Sequence, residues 1–437
     1  MRTTTRGIPL RHQTLHASLQ SSYELLDEAE QRLFRRLSVF RGGWTLPAAE
    51  AVCDDPEACD VPVMERLGRL LDKSLVRVHQ ATEGSRYSFL ESVAAFARAQ
   101  LEGAGEAEEF DDRLTNWCLD LVAAAEPHLR SEEQSDWLAL LGREGDNLRL
   151  AVRRVLNAGD GPTALRFTAL LWPSWRRKST VDGWNMLEEA LRLPGAELPG
   201  PDRLRALIAA SFAAALCGTF ERAMDHAHAA VELARGLEDR RSEVVAMYSW
   251  SATLVAFGDR DEGERQLATA IELAELEADP VLIGMVCSEI GWSAMARGEY
   301  ARALAFLERG LDNLRQAGDL MEEALTLSRL GVLAIAVNDL DRAEERLRES
   351  MGLRERIGDR AGIAQVLNNL GCVYEDRGDF EAAAEAYEGS RDLALELGHG
   401  THYGIAASNV CLARLLLGDV EGAKHQMREF FHMTVGA

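Results

Sequence analysis

The apolar positions of the second half of the chain recur at helical spacing in a fixed block. Over 362–377, Ile363, Val366, Leu367, Leu370 and Tyr374 share one helical face, and Gly371 leaves room for a neighbouring helix. Gly378 supplies a left-handed C-cap, Asp379 can accept from the first free amides of a second helix, and Ala383 and Tyr387 lie four apart on that helix's buried face. The turn then repeats. Gly218-Thr219-Phe220-Glu221-Arg222-Ala223 returns at Gly258-Asp259, Gly298-Glu299-Tyr300, Asn338-Asp339-Leu340, Gly378-Asp379-Phe380 and Gly418-Asp419-Val420, always 40 residues on. A second punctuation, Glu238-Asp239, Ala278-Asp279, Gly318-Asp319, Gly358-Asp359 and Gly398-His399, keeps the same step, so each block holds two helices. One hairpin cannot cover its own apolar stripe, whereas stacked hairpins bury a continuous core. The pattern predicts a mainly α fold ending in an α-solenoid with a concave face.

The first hundred residues follow a different rule. Asp27 with Glu30 marks a helix start, and Leu33, Phe34, Leu37 and Phe40 give that helix a buried face that ends at Gly42-Gly43. Short helices are expected near 45–53 and 61–73, strands at 74–78 and 87–90 joined through 82–85, and a helix at 91–101. Helices, then a hairpin, then a helix is the order of a winged-helix domain.

Composition narrows the function. The 437 residues carry 48 basic and 71 acidic side chains, a net −23, and residues 1–100 are balanced, so the acidity lies C-terminal. Loose adhesion of the whole chain to DNA or to an acidic membrane is not expected. The start, Met1-Arg2-Thr3-Thr4-Thr5-Arg6, runs into polar sequence, and the most apolar run, 207–217, is too short for a bilayer; a cytoplasmic protein without a membrane partner is expected. Seven cysteines form no CxxC pair and read as small buried hydrophobes. GxSxG and HExxH are missing, His226 and His228 fall on different helix faces, His399 and His402 flank a turn, and Asp54-Asp55 and Asp111-Asp112 read as loop and cap residues. Neither an enzyme, a cofactor nor a metal site is expected.

Two resemblances sharpen the picture. Leu370-Gly371-x-x-Tyr374, Gly378-Asp379-Phe380, Ala383 and Tyr387 are similar to the tetratricopeptide (TPR) consensus in a lengthened form. Arg11-x-Gln13-Thr14-Leu15, Ser22-Tyr23-x-Leu25-Leu26, Leu33-Phe34-x-x-Leu37-Ser38-Val39-Phe40-x-Gly42-Gly43, Leu71-x-Lys73-Ser74-Leu75-Val76 and Tyr87-x-x-Leu90-Glu91 resemble the winged-helix region of bacterial STAND-type regulatory ATPases. Trp137-Leu138, Glu144-x-Asp146-Asn147-Leu148-Arg149 and Ala151 resemble the helical connector that precedes their repeats. The expected organisation is a winged helix at 1–103, a connector at 104–160, a degenerate leading repeat at 161–200 and six repeats at 201–437. Such regulators place an NTPase domain before the winged helix. Only ten residues precede that segment here, and no GxxxxGK[ST] occurs, the lysines being Lys73, Lys178 and Lys424. The resemblance implies a regulatory module whose partner is a protein, a peptide or a separate nucleotide-binding domain.

The resemblance also implies a ligand groove. In TPR-like repeats the inner helix exposes positions two and three before the Leu-Gly glycine and the one after it, here Asn368, Asn369 and Cys372. The 40-residue step transfers these to Ser288, Glu289, Trp292, Ser328, Arg329, Val332, Ser408 and Asn409, with Tyr248, Ser249 and Ala252 upstream. Alanine at Arg329 or Asn369 is expected to weaken ligand binding and leave the melting temperature nearly unchanged. The competing reading is a winged helix acting directly on DNA through Arg66, Arg69 and Lys73 on one helix face, with Arg77 and Arg86 on the hairpin. Glu65 and Asp72 flank that stripe, and the segment has no net charge, so an internal contact role is favoured over DNA. Phe430 and Phe431, in a final hairpin rich in apolar residues, are expected to form a contact surface for self-association or a partner.

Overall fold

Local capping chemistry sets where the helices begin. The Glu30 amide donates to Asp27 Oδ1 at 2.8 Å and the Asp27 amide to Glu30 Oε2 at 3.0 Å, a closed capping box. The computed structural model describes residues 10–55, 61–81, 84–129, 133–178, 180–257, 259–397 and 400–435. The chain forms two units, Met1–Ala124 with Leu140–Ala158, and Ala125–Ala139 with Gly159–Ala437.

The first unit holds α1 (Leu10–Glu24), α2 (Glu28–Arg36), a 3-10 turn (Leu37–Val39), α3 (Leu46–Cys53), α4 (Val63–Asp72), β1 (Arg77–Ala81), β2 (Gly84–Ser88), α5 (Glu91–Gly103) and α6 (Ala107–Ala125). After α7 (Gln134–Arg143), α8 (Gly145–Ala158) returns to it. The fold is a winged helix. Leu33, Phe34, Leu37 and Phe40 are buried as their spacing requires, and Phe34 and Trp44 pack on Phe89 with ring centroids 5.1 and 5.0 Å apart.

The hairpin sits closer to its tip than the sequence suggests. β1 and β2 pair antiparallel with Arg77 opposite Ser88 and Ala81 opposite Gly84. Residues 74–76 instead finish α4: Ser74 takes φ 57°, and the Leu75 amide donates to the Leu70 carbonyl at 3.1 Å. The alternation there reflects burial of Leu75 and Val76, not strand pairing. Thr82 and Glu83, in the expected turn, lie outside the described residues.

After Ala125–Ala139, the second unit holds the hairpin of α9 (Gly161–Lys178) and α10 (Thr180–Leu191). It continues through α11 (Pro201–Leu216), α12 (Phe220–Gly236), α13 (Arg240–Phe257), α14 (Arg260–Leu276), α15 (Pro280–Ala296) and α16 (Tyr300–Ala317). Then come α17 (Leu320–Ala336), α18 (Leu340–Arg356), α19 (Arg360–Asp376), α20 (Phe380–Glu396), α21 (Gly400–Leu416) and α22 (Val420–Val435). Successive helix pairs stack as a TPR-like solenoid. Asp259, Asp339 and Asp379 cap the even-numbered helices and Asp279, Asp319 and Asp359 the odd ones. Gly291, Gly331 and Gly371 are glycine for packing: a Cβ there would overlap Leu307, Leu347 and the Tyr387 ring. The array curves until α9 touches α19, so the odd-numbered helices line its inner face. Gly258, Gly398 and His399, three residues of the turn pattern, lie outside the described residues.

Candidate ligand groove

The inner face collects its polar residues in two places. At the first, Arg329 of α17 donates to Glu289 Oε2 of α15 at 2.5 Å and to Ser288 Oγ at 3.0 Å, while its guanidinium lies 5.5 Å from the Trp292 ring centroid. Glu289 is 1% exposed and Ser288 also receives Thr326 Oγ1 at 2.9 Å. Burial lowers the Arg329 pKa, but Glu289, Tyr248 and Glu322 outweigh it and hold the guanidinium above its ordinary value. Tyr248 of α13 is buried beside them, and burial, with Glu322 and Glu289, pushes its phenol well above the usual range against the pull of Arg329 and Arg176. These side chains come from α9, α13, α15 and α17 and make a charged and aromatic patch with Trp292 half-exposed.

The second place is an amide patch. Asn409 Nδ2 of α21 donates to Asn368 Oδ1 of α19 at 3.0 Å, Asn369 stands half-buried next to it, and Gln365 Nε2 lies 3.2 Å from His402 Nε2.

Of the other residues marked in the sequence, several serve the scaffold. Ser328 is buried and shares a 2.8 Å hydrogen bond with Ser350 of α18; Ser249 does the same with Ser211 at 2.7 Å. Ser408 is exposed and bonds its own helix at the Gly404 carbonyl. Cys372 accepts from the Tyr387 hydroxyl at 3.4 Å, and burial raises its thiol pKa. Arg329 also departs from expectation. Alanine there would strand the buried Glu289 carboxylate, so its loss must cost stability as well as any ligand contact.

Sequence spacing missed Arg176, Glu322, Arg354 and Asp359, all charged groups near the inner face. One signal was present: Arg354 occupies a column that holds Ala234, Ala274, Leu314 and Ala394 in four other repeats.

Of the basic stripe on the winged helix only Arg66 is withdrawn from solvent; Arg69 is part-exposed and Lys73 exposed, each paired with carboxylates of the domain. Arg66 is 1% exposed and donates to Asp54 at 2.6 Å, Arg69 bonds Asp27 and Glu65, and Lys73 bonds Glu30 at 2.5 Å. Arg86 donates to Glu144 at 2.6 Å and to the Gly42 and Gly43 carbonyls, while Arg77 is exposed on β1. Carboxylates at 54, 27, 65, 30 and 144 give Arg66, Arg69, Lys73 and Arg86 anionic partners within the domain.

Phe430 is folded back on α21, stacked 6.2 Å from Tyr403 and packed by the Ala394–Tyr403–Ala407 cluster. It is half-buried core and not the open contact face expected of it; the side chain of Phe431 lies outside the described residues. The exposed apolar side chains of this hairpin include Ile405, Leu412, Leu415, Leu416, Val420 and Met427. Among the described residues no helix is long and apolar enough to cross a membrane, and no group of three or more histidine, cysteine or acidic side chains could hold a metal.

Comparisons with known proteins place both units. Residues 26–102 match the winged helix-turn-helix domain family and residues 322–396 the tetratricopeptide repeat family. A protein of Mycobacterium tuberculosis named as an HTH-type transcriptional regulator is 36% identical over 173 residues, covering 39% of this chain and 19% of its own length. The chain thus spans about a fifth of that relative. Among solved structures, the apo quorum sensor NprR of B. thuringiensis aligns over 78% of this chain and 93% of its own with TM-score 0.50 and 12% identity. A STAND protein with a tetratricopeptide repeat sensor from Pyrococcus horikoshii covers 99% of this chain and 59% of its own with TM-score 0.49 and 15% identity. At these identities the structural likeness concerns fold alone. The chain carries a winged helix-turn-helix domain and a tetratricopeptide repeat array, and part of it is similar in sequence to mycobacterial HTH-type transcriptional regulators.

Proposed function

We propose that this chain is the signal-receiving part of a STAND-type transcriptional regulator, with the inner face of the repeat array capturing a peptide or an extended protein segment. The observation that carries the reading is the pairing of two patches on one inner face: Tyr248, Glu289, Trp292 and Arg329 at one, and Asn368, Asn369 and Asn409 at the other. An aromatic ring beside an oriented guanidinium suits a side-chain anchor, and side-chain amides can exchange paired donor and acceptor bonds with an extended backbone. In this reading the winged helix and the connector helices pass occupancy to a nucleotide-binding domain, and the chain performs no catalysis itself. The internal pairing of Arg66, Arg69, Lys73 and Arg86 favours a protein-contact role for the winged helix over DNA. Selection of a random phage-displayed peptide library on the full chain tests the proposal. Peptides enriched on the unaltered chain and lost on a Trp292→Ala, Asn369→Ala double variant are expected. Equal enrichment on both, or none on either, would remove the groove.

A further inference from the structure

One stacking interface of the solenoid is built differently from its neighbours. Where α12, α14, α16 and α20 bury Ala234, Ala274, Leu314 and Ala394, α18 buries Arg354. Its Nη1 donates to Asp359 Oδ2 at 2.5 Å and its Nε to Ser350 Oγ at 3.2 Å, with Nη2 3.5 Å from Ser328 Oγ. Asp359 is at once the N-cap of α19, accepting the Gly362 amide at 3.1 Å. The guanidinium fits only because position 362 is glycine: a Cβ there would overlap Arg354 and Asp359, and the repeats before and after place Leu282, Glu322 and His402 at that register. A polar chain therefore runs from Ser328, next to the groove residue Arg329, through α18 to the cap of α19.

Apolar packing is divided over these repeats: one cluster joins residues 204 to 290, a second spans 294–333, and a third ties Ala334 of α17 and Ala343 and Leu347 of α18 to Val366, Leu370 and Val373 of α19. In a solenoid, stability is close to a sum of repeat and nearest-neighbour terms, and a buried ion pair is a weaker adhesive than apolar side chains of similar volume. α19 also bears Asn368 and Asn369 and touches α9, so it both carries half of the groove and closes the curve.

We propose that α19 is the gate of the groove, hinged on the Ser328–Ser350–Arg354–Asp359 network and moving against α9; the word groove rests on the function proposed above. Opening there would part Val366, Leu370 and Val373 of α19 from Ala343 and Leu347 of α18 and move the amide patch away from the charged patch, leaving the 204–290 cluster intact. Groove occupancy is then coupled to the hinge through Ser328, whose hydroxyl shares the network.

Hydrogen exchange on the ligand-free full chain tests the gate without needing the ligand. The amides of α19 are expected to exchange about tenfold faster than those of α15 and α17. A triple variant, Arg354→Ala with Asp359→Asn and Gly362→Leu, puts apolar residues at the register of Ala274 and Leu282, keeps a side-chain acceptor at the α19 cap without stranding a buried carboxylate, and should slow α19 to the rate of α15. Exchange of α19 as slow as α15 and α17 in the unaltered chain overturns the proposal, whatever the variant does. Unchanged α19 exchange in a folded triple variant overturns the assignment of the hinge to Arg354. Peptide selection plays no part in this readout, so a failed gate leaves the groove to its own test.

Discussion

Arg329 shows how a side chain chosen as a ligand contact can also hold the scaffold. Because Glu289 is buried beneath it, Arg329→Ala should destabilise the chain by about 3–5 kcal/mol, read by chemical denaturation, whereas Asn369→Ala should change stability by less than about 0.5 kcal/mol. A combined Arg329→Met, Glu289→Leu variant should recover most of the loss, since it removes both charges together. In the winged helix, Glu106 accepts from Arg35 and Arg36 at 2.6 and 2.9 Å. Burial raises its pKa, and the two guanidinium bonds more than reverse that, leaving it below the ordinary value. A carboxylate with a depressed folded-state pKa adds stability that is present above its unfolded pKa and lost as pH falls through the folded one. The winged helix should therefore weaken in acid, and Glu106→Gln should flatten that limb of the denaturation profile while lowering stability at neutral pH. The inner-face residues were only partly legible in the sequence. Repeat spacing located Trp292, Arg329 and Asn368 because they follow the period, and it passed over Arg354 and Glu322 because these use positions that the period assigns to packing.

Among the elements, glycine position separates packing from propensity. Gly371 lies where any Cβ would strike the Tyr387 ring, so Gly371→Ala should cost about 1–3 kcal/mol through overpacking. Gly352, inside α18 with nothing within 4 Å of an added Cβ, should respond the opposite way. Gly352→Ala is expected to stabilise by about 0.5–1 kcal/mol, since it removes backbone entropy from the unfolded chain. Thermal denaturation of the two single variants distinguishes them by sign. The helices themselves were well marked, because aspartate caps and apolar periodicity agree in almost every repeat. Local propensity misplaced the hairpin, since Leu75 and Val76 are apolar and β-like yet serve the end of α4, where Ser74 turns the chain in a left-handed conformation.

At the scale of the molecule, the excess of acid is organised. Arg309 bonds Glu275 at 2.6 Å and Arg342 bonds Glu308 at 2.8 Å, each reaching back to the preceding repeat, and Arg222 reaches back to Glu188 in the same way. The first two pairs are exposed, add little individually and weaken with salt, so they bias register more than they supply stability, whereas Glu188 is buried. The central claim is that the inner face of the array is where a partner is received. Hydrogen exchange of the full chain, with and without a peptide from the library selection, tests it most directly. Protection confined to the α13, α15, α17, α19 and α21 segments that carry Tyr248, Trp292, Arg329, Asn369 and Asn409 is the predicted result. Protection on the even-numbered helices, or on the winged helix with none in the array, would contradict it.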